Sequence, residues 1–292
     1  MTPLQRYIEP ELLRRLSLLT LSARTLAAGM ASGRHRAPVR GSSIEFRQHR
    51  GYTPGDEPRR IDWRVLARTD RPFVREYEQE TKLRCLIAVD ASGSMSYGSG
   101  RSRKIDHARR LAAALSYVML SQDESVGLAT FGATSHFLPA HSGRGQLSRV
   151  LLALDRTTPG GAAPAGTACA AIARRLTRRS LVLLISDALL PPEELGRGLA
   201  ALRHDRHEVA VLRVMHRDEM TFPFSRWQRL VGTEGEAYRT VDPASARDMY
   251  LERFGAHARR LRQVCSPLSV AVRDVPTDED VGDAVVGLIH RR

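Results

Sequence analysis

The chain has 292 residues, 42% of them hydrophobic and only 5% aromatic, so its core must be built from Leu, Val, Ile and Ala, and a disordered chain is excluded. Its formal charge of +13 is almost all arginine, Lys82 and Lys104 being the only lysines, and no apolar run approaches the roughly 20 residues of a membrane span. Three separated cysteines, Cys85, Cys169 and Cys265, suit neither a disulfide framework nor a clustered zinc site, and the N-terminus mixes charges into its apolar residues, so the expected location is the cytoplasm.

Residues 4–30 read as helical, with Leu12, Leu16, Leu19 and Leu26 at helix-like spacing and Gly29 near the stop. From 33 to 71 the pattern breaks into Gly, Pro, Arg and Asp and ends in EFRQHRGYTPGDEPRRIDWRVLAR. Phe46, Tyr52, Ile61, Trp63, Val65 and Leu66 call for burial there, with Trp63 as a core anchor, so a structured loop-rich lobe is predicted. Pro54-Gly55-Asp56 reads as a turn. Asp56, Arg59, Arg60 and Asp62 read as ion-pairing residues that fasten the lobe, or as an interaction epitope.

From residue 72 the organisation is a regular alternation. PFVREYEQE and KLRCLIAVD are predicted strands, the second apolar on both faces as a covered strand requires. A helix over 104–121 follows, then strands at SVGLATFG and SHFLPA and helices over 146–154 and 167–176. Next come the strand SLVLLISDA, a helix over 193–204 and the strand EVAVLRVMH. An excursion over 217–242 contains a predicted β-hairpin turning at 233–236. A helix over 244–264, the strand LSVAVRDV and a helix from Glu279 close the chain. Strands and helices alternating at these lengths predict an α/β fold of Rossmann-like type, with a mostly parallel central sheet flanked by helices. The expected organisation is an N-terminal lobe over 1–80 and a sheet domain over 81–292.

The informative segment is LIAVDASGSMSYGSG, where a buried strand ends in Asp90-Ala91-Ser92-Gly93-Ser94. Open α/β sheets bind ligands beyond the carboxyl ends of their strands, where the strand order reverses. The strand LVLLISD also ends in a carboxylate, Asp187, and Thr167 opens the helix before it. Asp90, Ser92, Ser94, Thr167 and Asp187 would form an all-oxygen site that suits Mg²⁺ or Mn²⁺ and not zinc. Alternatively, Ser92, Gly93 and Ser94 turn the chain and cap a helix while Asp90 accepts backbone hydrogen bonds.

The order Asp90, Ser92, Ser94, Thr167, Asp187 resembles the metal-ion-dependent adhesion site of von Willebrand factor A domains. EFRQHRGYTPGDEPRRIDWRVLAR followed by FVREYEQE resembles, more specifically, the signature of the bacterial domain-of-unknown-function 58 family. The resemblance spans about residues 30–290. It implies a von Willebrand A-like domain acting as an adaptor or chaperone-like partner of a MoxR-type AAA+ ATPase, or of that ATPase's client, through a bound Mg²⁺. One departure from the pattern stands out. Gly160-Gly161 is followed by Ala162 and not by threonine, so Thr158 is the alternative to Thr167.

Enzyme signatures are missing. Neither lysine follows a glycine as a P-loop requires, and no GxSxG, HExxH or CxxC occurs. No second aspartate stands two residues after Asp90, as a haloacid dehalogenase-type phosphatase would need, and His204 and His207 read as a surface pair. The expectation is a non-enzymatic interaction protein. The competing class is an arginine-driven nucleic-acid or anionic-surface binder, since residues 34–75 hold eleven arginines against five acidic residues. Steep loss of binding with salt would mark that class.

Overall fold

In the computed structural model the described residues are 3–19, 26, 45–53, 61–78, 84–162, 164–230 and 239–289. They belong to two compact units, one formed by Met1–His35 with Leu83–Arg292 and the other by Arg36–Lys82. The division expected at residue 80 lies close to the one after Lys82, but residues 1–35, expected in the N-terminal lobe, belong with the sheet instead. The N-terminal helices α1 (Pro3–Tyr7) and α2 (Pro10–Ser17) belong to the sheet unit, because Tyr7, Ile8, Leu16 and Leu26 are buried in the same core as the strands. The single helix predicted from residue 4 is broken before Pro10, which lacks an amide hydrogen and starts α2 at its first turn.

In the smaller unit β1 (Glu45–Gly51) pairs antiparallel with β2 (Phe73–Glu78), and the helix α3 (Trp63–Thr69) lies between them in sequence. Asp62 opens α3: its carboxylate accepts the Val65 amide at 3.3 Å, and its own amide donates to the Phe73 carbonyl at 2.8 Å. The expectation for Trp63 is overturned, since its side chain is 62% exposed. Among the described side chains of this unit Val74 and Asp62 are buried, and a backbone bridge between Ile61 and Val74 ties the start of α3 to β2. Residues 54–60, with the predicted turn and Arg59 and Arg60, lie outside the described residues.

The larger unit runs β3 (Arg84–Ala91), α4 (Lys104–Leu120), β4 (Val126–Gly132), β5 (His136–His141), α5 (Arg144–Arg156), α6 (Ala165–Arg175) and β6 (Ser180–Ser186). It continues through α7 (Pro192–His204), β7 (Glu208–Met215), α8 (Arg217–Thr221), the pair β8 (Gln228–Leu230) and β9 (Arg239–Val241), α9 (Pro243–Cys265), β10 (Ala271–Pro276) and α10 (Val281–Ile289). The sheet order is β10-β7-β6-β3-β4-β5, parallel throughout except for β5 at one edge. β8 and β9 pair antiparallel as the predicted hairpin requires, and its turn lies outside the described residues.

Burial follows the two-residue strand period. Cys85, Ile87, Val89 and Ala91 of β3 face a core closed by α1, α2, α4, α5 and α10, whereas Leu86 and Ala88 face a core closed by α6, α7 and α9. Each buried Leu, Ile or Val contributes about 1.5–3 kcal/mol, so strands without a polar face, such as β3 and β6, are stable only in the middle. The chain leaves β3 toward β4 on one side and later builds β6, β7 and β10 on the other. The strand order therefore reverses between β3 and β6, where an open sheet leaves a crevice at its carboxyl end.

Candidate metal centre at the carboxyl end of the sheet

Asp90, next to last in β3, and Ser186, last in β6, stand at the ends of the two strands flanking that crevice, and the β3–β6 register runs in parallel from Arg84↔Ser180 to Val89↔Ile185. Asp90 is 3% exposed, and each of its oxygens has a donor. Oδ1 accepts the Ser92 amide at 2.8 Å and Oδ2 accepts the Ser186 hydroxyl at 2.5 Å. Burial, then the charge of Asp187, pushes the Asp90 carboxyl up to about 6, while the bonds from Ser186 and Ser92 pull it down. The turn after β3 becomes a short 3₁₀ segment at Gly93–Ser96, which brings Ser92 Oγ and Ser94 Oγ to 3.1 Å.

Asp187 leaves β6 through a strained turn. Ala188 is fully buried with φ of 50°, a conformation costly for a residue with a Cβ, and it is held there by its amide donating to Ser186 Oγ at 3.0 Å. One Asp187 oxygen accepts the Leu189 amide at 3.3 Å, and the other meets Lys104 Nζ at 2.8 Å. Lys104 opens α4 and is 0% exposed, with its second carboxylate partner, Glu219 of α8, at 2.7 Å. Burial disfavours the ammonium, but the charges of Asp187 and Glu219 outweigh it and raise the Lys104 pKa.

A third segment reaches the crevice. Gly160 donates its amide to the Ala91 carbonyl at 2.9 Å, and Gly93 donates to the Gly161 carbonyl at 3.0 Å, so Gly160-Gly161 lies along the Ser92 turn. Gly161 has φ of 66°, which glycine adopts without strain. Thr167 is not brought in the same way. It is exposed on α6, roughly 160° around the helix from Ala165 and from Cys169, and among the described residues it shares no hydrogen bond with Ser92 or Ser94. Thr158 is also exposed. Gly166, beside Thr167, has a packing role, since a Cβ there would lie 2.4 Å from the Glu194 carbonyl oxygen of α7.

Of the five predicted site residues, Asp90, Ser92, Ser94 and Asp187 thus converge on one crevice. Ser186, Lys104 and Glu219 were missed. Ser186 directly precedes Asp187, and Lys104 is conspicuous as one of two lysines, but nothing in the sequence marks Glu219. Among the described residues no group of three or more His, Cys, Asp or Glu side chains is placed to hold a metal, so a cation here must rest partly on hydroxyl oxygens.

The donors fit a hard divalent cation. Two ligands on adjacent corners of an Mg²⁺ octahedron with bonds of about 2.1 Å are separated by about 3.0 Å. The Ser92–Ser94 pair, at 3.1 Å, has that edge length. Asp187 and Glu219 share the Lys104 ammonium, whereas Asp90, bonded by the Ser92 amide and the Ser186 hydroxyl, has no cationic partner among the described residues, so its buried charge is the one left for a cation.

The fold and the site together define an open α/β sheet protein with a candidate oxygen-donor cation site at the reversal of its strand order. Residues 48–263 match the family described as protein of unknown function DUF58, and the chain belongs to that family. An uncharacterised protein of Mycobacterium tuberculosis strain H37Rv is 31% identical over 294 residues, covering 97% of this chain and 91% of that protein. Among solved structures, an aerotolerance-related membrane protein from Bacteroides fragilis with multiple mutations to serines aligns at 17% identity. It covers 70% of this chain and 96% of its own, with a TM-score of 0.41. Manganese-loaded TRAP protein of Plasmodium vivax aligns at 16% identity over 71% of this chain and 72% of its own, with a TM-score of 0.41. In this chain no helix among the described residues is long and apolar enough to cross a membrane.

Proposed function

We propose that the chain is a non-enzymatic protein-interaction module that binds an acidic group of its partner through Mg²⁺ or Mn²⁺ held by Ser92, Ser94 and Asp90, with Asp187 adding charge. The observation that carries this reading is the hydroxyl pair at 3.1 Å beside the buried Asp90 carboxylate, which has no cationic partner among the described residues, at the strand-order reversal. When bound, the cation supplies a Lewis-acid position that accepts a carboxylate oxygen. Ser92 and Ser94 bring neutral oxygens, which leave positive charge for the partner to neutralise. Asp90 is oriented by Ser92 and Ser186 before any ligand arrives, so little ordering remains at binding.

Among the described residues no imidazole or amine is hydrogen-bonded to either serine hydroxyl, which favours binding over nucleophilic chemistry. The partner class follows from the family resemblance: a MoxR-type AAA+ ATPase or its client, for which this chain acts as adaptor in the cytoplasm.

The test is association of the full chain with the MoxR-type ATPase, by pull-down and calorimetry, for wild type and Ser94→Ala with and without EDTA. Wild type without chelator should bind, and the other three conditions should not. Restoring Mg²⁺ should rescue the chelated wild type alone. Equal affinity in all four conditions would sink the reading.

A further inference from the structure

In a chain whose basic residues are otherwise arginine apart from Lys82, the one amine in the sheet domain's core sits beside the candidate metal centre. Lys104 is fully buried and bonds Asp187 at 2.8 Å and Glu219 at 2.7 Å. An ammonium is compact and offers three rotatable donors, so it fits between two carboxylates where a planar guanidinium would need more room. The surroundings hold it there. Glu219 Oε2 accepts the His216 amide at 2.7 Å and the Glu219 carbonyl accepts the Tyr250 hydroxyl at 3.0 Å, while Tyr97 packs edge-on against His216 with ring centroids 5.0 Å apart. On the other side, the Lys104 amide donates to the Tyr97 carbonyl at 3.0 Å.

We propose that Lys104 is a resident cation of the metal centre: it neutralises Asp187, and with Glu219 it sets how tightly the centre holds an exchangeable divalent cation. The inference rests on the metal-dependent reading above and goes beyond it. With Lys104 in place, the exchangeable cation is held mainly by Asp90 and two neutral hydroxyls, and so binds loosely in isolation. A partner's carboxylate restores the negative charge that Lys104 removes from Asp187, so cation and partner each tighten the other, and by linkage the two effects are equal. The lysine is thus a positioning and tuning residue that makes cation occupancy depend on the partner.

The experiment is calorimetric titration with Mn²⁺ of the full chain as wild type, Lys104→Met, Glu219→Gln and the double variant, with and without saturating acetate as the carboxylate probe. Lys104→Met should bind Mn²⁺ at least tenfold more tightly than wild type, and acetate should enhance its Mn²⁺ affinity less. Glu219→Gln should bind more weakly, because it takes a negative charge from the cluster. The double variant should exceed Glu219→Gln by the same tenfold or more. That second comparison decides the matter alone should Lys104→Met, which leaves Asp187 and Glu219 without their shared cation, fail to fold. Mn²⁺ binding by wild type with no gain on removing Lys104 would overturn this inference and leave the proposed function standing. Binding only after Lys104 is removed would support the inference and overturn native metal dependence. No binding in any variant would overturn both.

Discussion

Substituting Ser186 by alanine removes a hydroxyl that does two jobs at the crevice: it donates to Asp90 Oδ2 at 2.5 Å and accepts the Ala188 amide at 3.0 Å. The first bond is charge-assisted and worth roughly 1.5–3 kcal/mol, and leaving the buried amide unpaired costs roughly 1 kcal/mol or more, so Ser186→Ala should cost about 2–4 kcal/mol in all. For a chain of this length that corresponds to a melting temperature lower by about 4–8 °C. The loss must depend on the charge of Asp90, because the stronger bond is to a carboxylate, whereas the Ala188 contribution must not. Urea unfolding at pH 8 in EDTA, on wild type, Ser186→Ala, Asp90→Asn and the double variant, separates the two. A coupling energy of about 1–2 kcal/mol between Ser186 and Asp90 is expected from residues sharing one buried bond. Additivity within about 0.5 kcal/mol would refute the claim that Ser186 orients the Asp90 carboxylate.

His107 of α4 is 0% exposed, neither ring nitrogen has a hydrogen-bond partner among the described residues, and burial, then Arg110, lowers its pKa to about 4 against the opposing pull of Asp278 and Asp280. Below pH 6.5 the unfolded chain takes up a proton that the folded one refuses, so stability from this residue is complete above 6.5 and falls by about 3 kcal/mol as pH drops to about 4. His107→Leu should flatten that part of the urea stability profile, and an unchanged slope would contradict the buried neutral imidazole. At Gly198 an added Cβ would lie 2.2 Å from the Gly166 carbonyl oxygen, so Gly198→Ala must push α7 from α6 and should cost at least about 1–3 kcal/mol, measured by thermal melting. A cost below about 0.5 kcal/mol would show that the two helices yield freely.

Much of the fold was legible in the sequence because hydrophobic periodicity is a local signal. The near-unbroken apolar runs LIAV and LVLLI marked β3 and β6 as central strands, and DASGS and ISD marked strand ends with polar residues where a sheet opens to a ligand. The family, too, was carried by a contiguous stretch, which is why the match over 48–263 agrees with it. The membership of the N-terminal helices was not legible. Whether α1 and α2 join the sheet depends on which core accepts Tyr7, Ile8 and Leu16, and amphipathicity tells only that some core must. Trp63 shows the same gap, since its size called for burial while the position of α3 leaves it 62% exposed.

At the candidate centre, residue type and chain order nominated Asp90, Ser92, Ser94 and Asp187, whereas adjacency of β3 and β6 was a matter of strand order alone. Thr167 fitted the expected order, yet the face of α6 turned to the core is the one with Ala165 and Cys169. Lys104 and Glu219 are 115 residues apart, and only the packing of α8 over the start of α4 gives one ammonium two carboxylates. Local patterns determine which residues can bind a cation; the long-range placement of charges in a low-dielectric crevice decides how many of them are left uncompensated to do so.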